Sequence, residues 1–299
     1  MIKPSDNIDA ADHEAAVDRL LALLDVEALE VDLFRGVTTD PGWTRVYGGQ
    51  VVAQALMAAS RTVRVDRLAH SLHAYFLRPG DPAAPIVYRV ERDRDGASFA
   101  TRRIVAIQHG RPIFNMAASF QLAEDGFAHQ AAMPKVAGPE GLHNERQLFD
   151  RRAATTPEPF RTLWGRRDRP IEFRPVEPMD PFKPKKAKPV QHSWLRAASP
   201  LPGDPVLARC LLAYASDMTL LDTCLQPHAV SWADPRLQVA SLDHAMWFHA
   251  TPDLNEWHLF AQDSPRASGG RGLSRGLIYA QDGALVASVT QEALIRYRD

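Results

Sequence analysis

The stretch Gly276-Leu-Ile-Tyr-Ala-Gln-Asp282-Gly283-Ala-Leu-Val-Ala-Ser-Val-Thr-Gln291 decides the fold. Two β-favouring runs flank an Asp-Gly pair, which signals a tight two-residue hairpin. Upstream lies an almost wholly apolar helix candidate, Val206 to Leu225, whose acidic residues are Asp217 and Asp222. The first half carries the same pair of elements. Its hairpin is Arg103 to Ser119 with His109-Gly110 at the turn, and its helix runs from Gly49 to Val63. Helix and hairpin occurring twice in that order read as an internal repeat.

After the helix in the first half, Ala69–Leu77, Ile86–Arg92, Ser98–Gln108 and Arg111–Leu122 read as strands, the last two forming the hairpin. In the second half the strands are Leu237–Phe248, Glu256–Gln262, Gly272–Gln281 and Ala284–Ile295, with Val190–Ala197 before the helix. One helix followed by antiparallel strands suits an α+β arrangement and excludes a parallel doubly wound sheet. Residues 13–29 show helical spacing, Val31–Thr38 a strand, and Pro41-Gly42 a break. From Ala123 to Lys188 the pattern lapses. Thirteen of the 23 prolines fall between Pro134 and Pro205, and Lys183, Lys185, Lys186 and Lys188 sit among them. This reads as a solvated connector with a short helix near Leu142–Arg152. The domains are therefore 1–122, a connector 123–188, and 189–299.

With 45% hydrophobic and 24% charged residues and a net charge of −1, nothing points to nucleic acid as a partner. No stretch of about 20 apolar residues suggests membrane insertion, and the first dozen residues lack a signal-peptide pattern. Cys210 and Cys224, placed in one helix, would stand roughly 21 Å apart, too far for a disulfide. The expected compartment is cytoplasmic.

The chain resembles the acyl-CoA thioesterase II family. The stretches that carry the resemblance are Tyr47-Gly-Gly-Gln-Val-Val-Ala-Gln-Ala-Leu56, His70-Ser-Leu-His-Ala-Tyr-Phe-Leu-Arg-Pro-Gly80, Ser241-Leu-Asp-His-Ala-Met-Trp-Phe-His249, and Gln281 to Ser288 running on to Gln291-Glu292. The resemblance implies a double hotdog, with two fused repeats, each a long helix wrapped by an antiparallel sheet. It also implies hydrolysis of fatty acyl-CoA to free acid and CoA without metal or other cofactor, and assembly as a homodimer or homotetramer. It places the catalytic residues at Asp217, Ser241 and Gln291. The family commonly has Thr where this chain has Ser241; the hydroxyl is kept and a methyl is lost.

A thioester's leaving thiol is already a weak acid, with a pKa of about 8.5. The chemistry needs a positioned water, a base and donors to the oxyanion. Asp217 in an apolar helix suits the base, because burial raises a carboxyl pKa. Ser241 and Gln291 supply neutral groups to hold the water. The first helix has Gln50 and Gln54 but no Asp, so the second half is expected to hold the chemistry. Gly48, Gly49, His73 and Arg78 are the candidate substrate contacts.

Asp222, about 140° round a continuous helix from Asp217, reads as structural. Strand alternation puts Asp243, but not His244, on the face of Ser241. Gly272-Leu-Ser274-Arg-Gly276 matches G-x-S-x-G, but that motif works at a strand-to-helix elbow, and here it enters a strand. His244 and His249 lack a third metal ligand. The alternatives are a non-catalytic acyl-CoA-binding protein and a hotdog enoyl-thioester hydratase. The hydratase usually wants an Asp/His pair, and the second helix holds no His.

Overall fold

The computed structural model describes residues 10–38, 44–158 and 160–298. Pro41-Gly42 and the extreme N-terminus lie outside the described residues. Six α-helices are described: α1 (Ala10–Leu24), α2 (Gly48–Ser60), α3 (Glu145–Arg152), α4 (Phe160–Arg166), α5 (Pro205–Ser216) and α6 (Leu220–Leu225). The strands are β1 (Glu27–Glu30), β2 (Leu33–Gly36), β3 (Arg67–Phe76), β4 (Ile86–Asp95), β5 (Phe99–Gln108), β6 (Arg111–Leu122), β7 (Ile171–Pro175), β8 (Val190–Ala197), β9 (Leu237–Ser241), β10 (Asp243–Phe248), β11 (His258–Ser268), β12 (Arg271–Ala280) and β13 (Leu285–Tyr297).

All thirteen strands join one sheet in the order β1-β2-β4-β5-β6-β3-β10-β13-β12-β11-β8-β7, with β9 also on β13. The sheet is continuous across its middle because β3 and β10 pair antiparallel, Ala74 facing His244 and Ala245 facing His73. The helices α2 and α5 lie against one another on one face. α2 is Ala, Val, Leu and Met almost all round, and eleven of its thirteen residues are buried, as befits a helix with sheet and helix on most sides. Each fully buried Leu or Val contributes about 1.5–3 kcal/mol, so this apolar layer dominates stability.

Several expectations are revised. The first helix ends at Leu24, and Glu27–Glu30 instead pairs with Leu33–Gly36 across a turn at Asp32, where φ is 57°. The His109-Gly110 turn has two residues, both at positive φ, closed by the Gln108–Arg111 pair. The Asp282-Gly283 hairpin differs: three residues, Gln281 to Gly283, connect Ala280 to Ala284, and Gly283 takes φ 93°. Asp282 Oδ1 accepts from the Ala284 N–H at 3.0 Å, which stabilises this wider loop.

The proline-rich stretch contains α3, α4 and β7 and is partly docked. Asn144 caps α3 with a full capping box. Met133, Val136 and Leu142 pack on Trp194, Trp257, Leu259 and Tyr279, on the sheet face away from α2 and α5. Trp194 Nε1 donates to Ala137 O at 2.8 Å. Prolines bar a regular ladder there, but the apolar residues between them still cover the sheet. Lys185, Lys186 and Lys188 remain exposed.

Candidate active site

The expected helix Val206–Leu225 is broken. α5 stops at Ser216, Asp217 is its C-cap residue, and α6 starts at Leu220. No Gly or Pro marks the break; tertiary bonds make it. Gln262 Nε2 donates to Thr219 Oγ1 at 2.6 Å, and Gln191 Nε2 donates to Thr219 O at 2.7 Å. Gln262 Oε1 accepts from Thr223 Oγ1 and from Gln191. The angle between Asp217 and Asp222 on a continuous helix therefore does not apply. Asp222 lies in the first turn of α6, and burial pushes its carboxyl up to about 7.

Freed from the helix, Asp217 reaches the N-terminus of α2. Gln291 Nε2 donates to Asp217 Oδ1 at 2.5 Å, and Ser241 Oγ lies 3.4 Å from the same oxygen. The Gly49 backbone N–H also donates to the carboxylate. Oδ2 faces Gly48, where an added Cβ would lie 2.7 Å from it. Burial pushes the Asp217 pKa up to about 6, against the lowering effect of Gln291, Gly49, Ser241 and the nearby Arg45. Arg45 is held by Val239 O at 2.9 Å.

The three residues Asp217, Ser241 and Gln291 are thus brought together, with Gly48 and Gly49 beside them. His73 is not brought there. It is exposed on the opposite face of the sheet, edge-on to Trp247 at 5.1 Å. Arg78 is exposed and donates to Pro112 O at 2.6 Å.

The strand expected over Leu237–Phe248 is interrupted at Leu242. Ser241 pairs with Ala293 and Ala245 with Thr290, so four steps on one strand match three on β13. That extra residue is a bulge, and it reverses the alternation. His244, not Asp243, shares the inner face with Ser241. Its Nε2 lies 3.0 Å from Ser216 Oγ, which itself donates to Ala213 O. The hydroxyl must then accept from Nε2–H. Burial lowers the His244 pKa to about 4 and keeps the ring neutral. Asp243 Oδ1 accepts from the Glu292 N–H at 2.6 Å and fixes the bulge. His249 is exposed and bonds Ser288 Oγ. Ser274 lies inside β12, opposite Gln291, and not at an elbow.

Tyr47, Gln262 and Phe76, whose ring would lie 3.1 Å from a Cβ added at Gly48, were not anticipated. Tyr47 donates to Tyr214 O at 2.8 Å and stands edge-on to the Tyr214 ring, clamping the end of α5 to the start of α2. Tyr47 adjoins the glycine pair, the one sequence signal pointing to it. Gln262 sits in an ordinary strand and gives none.

The architecture defines a class first. A structure titled as a conserved protein of unknown function with hot dog fold from Alicyclobacillus acidocaldarius superposes with a TM-score of 0.76 at 19% identity, covering 94% of this chain and 99% of that one. The fold is a hotdog fold. A family profile described as acyl-CoA thioesterase matches residues 162–294, and one for the acyl-CoA thioesterase N-terminal domain matches residues 39–121. Acyl-CoA thioesterase 2 of Haemophilus influenzae is 43% identical, over 95% of this chain and 99% of the relative. The crystal structure of an acyl-CoA thioesterase II from Mycobacterium marinum is 44% identical, with a TM-score of 0.77 over 94% of this chain and 99% of that one. The chain belongs to the acyl-CoA thioesterase II family and is a thioester hydrolase.

Proposed function

We propose that the protein hydrolyses fatty acyl-CoA to free fatty acid and CoA, with Asp217 as the base that activates a water. The observation that carries this is the asymmetric use of one carboxylate. Gln291 and Ser241 both address Oδ1, which leaves Oδ2, against Gly48 at the head of α2, without a side-chain donor and able to take a proton from water. With its pKa pushed up to about 6, the carboxylate is ionised near neutral pH yet more basic than an ordinary Asp. The water oxygen attacks the thioester carbonyl carbon, and its proton passes to Asp217. The C–S bond then breaks, and the departing thiolate takes that proton to give free CoA. The N-terminus of α2 presents partial positive charge where the carbonyl oxygen becomes negative. Gly48 leaves room at that end for Asp217 Oδ2, and the Gly49 N–H holds the carboxylate there.

The same reading divides the chain into two fused hotdog repeats, 1–122 and 189–299, around the connector 123–188. Supporting it, β3 and β10 meet at the centre of the sheet, and irregularities fall at both His70 and Leu242. Gln291 lies eight residues beyond the turn residue Gly283, and Ala118 lies eight beyond Gly110. Opposite Ala118 stands the buried Arg102, bonded to Thr62 and Asp95. An Arg–Ala pair filling that position supports one working site per chain, in the second repeat. A cytoplasmic homodimer or homotetramer completes the reading, and sedimentation would measure the assembly.

The test of the water step is a single turnover with excess enzyme in ¹⁸O-water. Direct attack by water places ¹⁸O in the released acid on the first turnover. Attack by the Asp217 carboxylate would instead form a mixed anhydride: an unlabelled first product with the label in the enzyme, or trapping of an acylated enzyme by hydroxylamine, would overturn the water step.

A further inference from the structure

Ser274, the serine of the G-x-S-x-G run, is not required by the mechanism above, yet it lies beside it. It stands directly opposite Gln291 in the antiparallel β12–β13 pair. Both side chains are buried at 1% exposure on the helix-facing side. Ser274 Oγ and Gln291 Oε1 are each fully buried, and Gln291 Oε1 has no hydrogen-bond partner; the Ser274 hydroxyl meets the Cys224 sulfur, a weak acceptor, and pulls that thiol's pKa down against burial. Buried polar atoms seldom stay unpaired. These two are complementary: the hydroxyl offers a proton and the amide oxygen has none. Side chains facing each other across antiparallel strands have Cβ atoms about 4.5–5.5 Å apart, so the serine hydroxyl and the amide lie side by side on one face of the strand pair. The space is closed from the other side. Cys224 of α6 packs directly against the Cα of Gly272, two residues before Ser274. The Cys224 thiol itself donates to Leu221 O at 3.1 Å.

We infer that Ser274 is a positioning residue for the hydrolytic site, its hydroxyl donating to Gln291 Oε1 and so keeping Gln291 Nε2 aimed at Asp217. The inference rests on the proposed roles of Asp217 and Gln291. The need arises within the catalytic cycle. While Asp217 is ionised, it accepts the amide N–H and holds Gln291 by itself. Once Oδ2 has taken the proton from water, Oδ1 belongs to a neutral acid and is a weaker acceptor, so it grips the Gln291 amide less firmly. An unrestrained amide can then turn away from Oδ1 and has to be repositioned before Asp217 ionises again. A donor fixed on Oε1 blocks that turn in both protonation states. The G-x-S-x-G serine thus serves as a donor to the amide and not as a nucleophile.

The test is a double-mutant cycle of Ser274→Ala and Gln291→Ala, with Ser274→Thr as the conservative variant, assayed by thiol release across pH with an acyl-CoA substrate. Ser274→Ala is expected to lower kcat about tenfold with KM unchanged, and to move the acid limb of the kcat profile upward, because Asp217 loses a steadily held donor. Ser274→Thr restores most of the rate, and Ser274→Ala has no further effect in the Gln291→Ala background. The inference is overturned if Ser274→Ala keeps kcat and the acid limb while Gln291→Ala loses them. It is equally overturned if the two losses simply multiply, or if Ser274→Thr is as slow as Ser274→Ala. Gln291→Ala with full activity would overturn the proposed mechanism as well, which separates the two failures. Were Ser274→Ala to unfold, the Ser274→Thr and Ser274→Cys rates and acid limbs decide: both near wild type for Thr with a slower Cys supports the donor, and an unchanged Cys overturns it.

Discussion

Gly48 stands so close to Asp217 that a single added methyl group would lie 2.7 Å from Oδ2 and 3.1 Å from the Phe76 ring. The absence of a side chain there leaves the free oxygen of the carboxylate its room. Gly49 is tight for another reason: its added Cβ would meet the backbone oxygen of Tyr214 at 2.5 Å and the Tyr47 ring at 2.6 Å. The two glycines should therefore fail differently. Gly48→Ala displaces a side-chain end and should fold, with kcat/KM down at least tenfold. Gly49→Ala must part α2 from α5 and should lose about 2–3 kcal/mol of stability, in the range for overpacked sites. Thermal melts beside thiol-release assays distinguish the two. Equal melting points for both variants would contradict this account.

The raised pKa of Asp217, about 6, sets both activity and stability against pH. As the base must be ionised, kcat/KM should fall tenfold per pH unit below about 6. The stability sign is the opposite. The folded pKa lies above the unfolded value near 3.9, so the folded state holds the proton more tightly. The stability this gives is complete below about pH 4 and lost as pH rises through about 6. Asp217→Asn, which cannot ionise, should thus match wild type at pH 4 and exceed it at pH 8. The gain is at most about 3 kcal/mol, less whatever screening the half-buried carboxylate receives. Denaturant midpoints at the two pH values check it; a variant less stable at pH 8 would refute the desolvated carboxylate.

Ser241 Oγ reaches Asp217 Oδ1 only at 3.4 Å, the long end of a hydrogen bond. A Thr at this position has fewer rotamers open to it in a strand. Ser241→Thr should raise kcat two- to fivefold, whereas Ser241→Ala should lower it about tenfold. Steady-state kinetics on both variants decide; a slower Thr variant with the same melting point would show that the hydroxyl already sits at its working distance.

The break before α6 depends on Gln262, which bonds Thr219, Thr223 and Gln191 at once. Gln262→Leu strands two threonine hydroxyls in a buried setting. It should cost about 2–4 kcal/mol and also lower kcat, because Asp217 is the residue just before the break. Full activity with only a lower melting point would separate the network from the site.

Much of this was legible in the sequence. The apolar helix α2 and the strand pairs around His109-Gly110 and Asp282-Gly283 carried through. What was not legible depended on contacts between distant residues. Asp217 looked like an interior helical residue because nothing around Met218 breaks a helix locally; Gln262 and Gln191 do so from other strands. Asp243 and His244 exchanged faces because one extra residue at Leu242 resets the alternation, and a bulge of that kind leaves no Gly or Pro behind. Residues 25–29 continued a helical pattern that pairing with β2 overrode. His73 shares a motif with inward-facing neighbours, but in β3 its side chain points outward.

The central claim is that the Asp217 carboxylate is the base for thioester hydrolysis. The most direct measurement is thiol release from acyl-CoAs of rising chain length, wild type beside Asp217→Asn, each first shown to be folded. The account predicts hydrolysis by wild type and a loss of at least a thousandfold in kcat for Asp217→Asn at every chain length, with substrate still bound. Equal rates for the two proteins would contradict it.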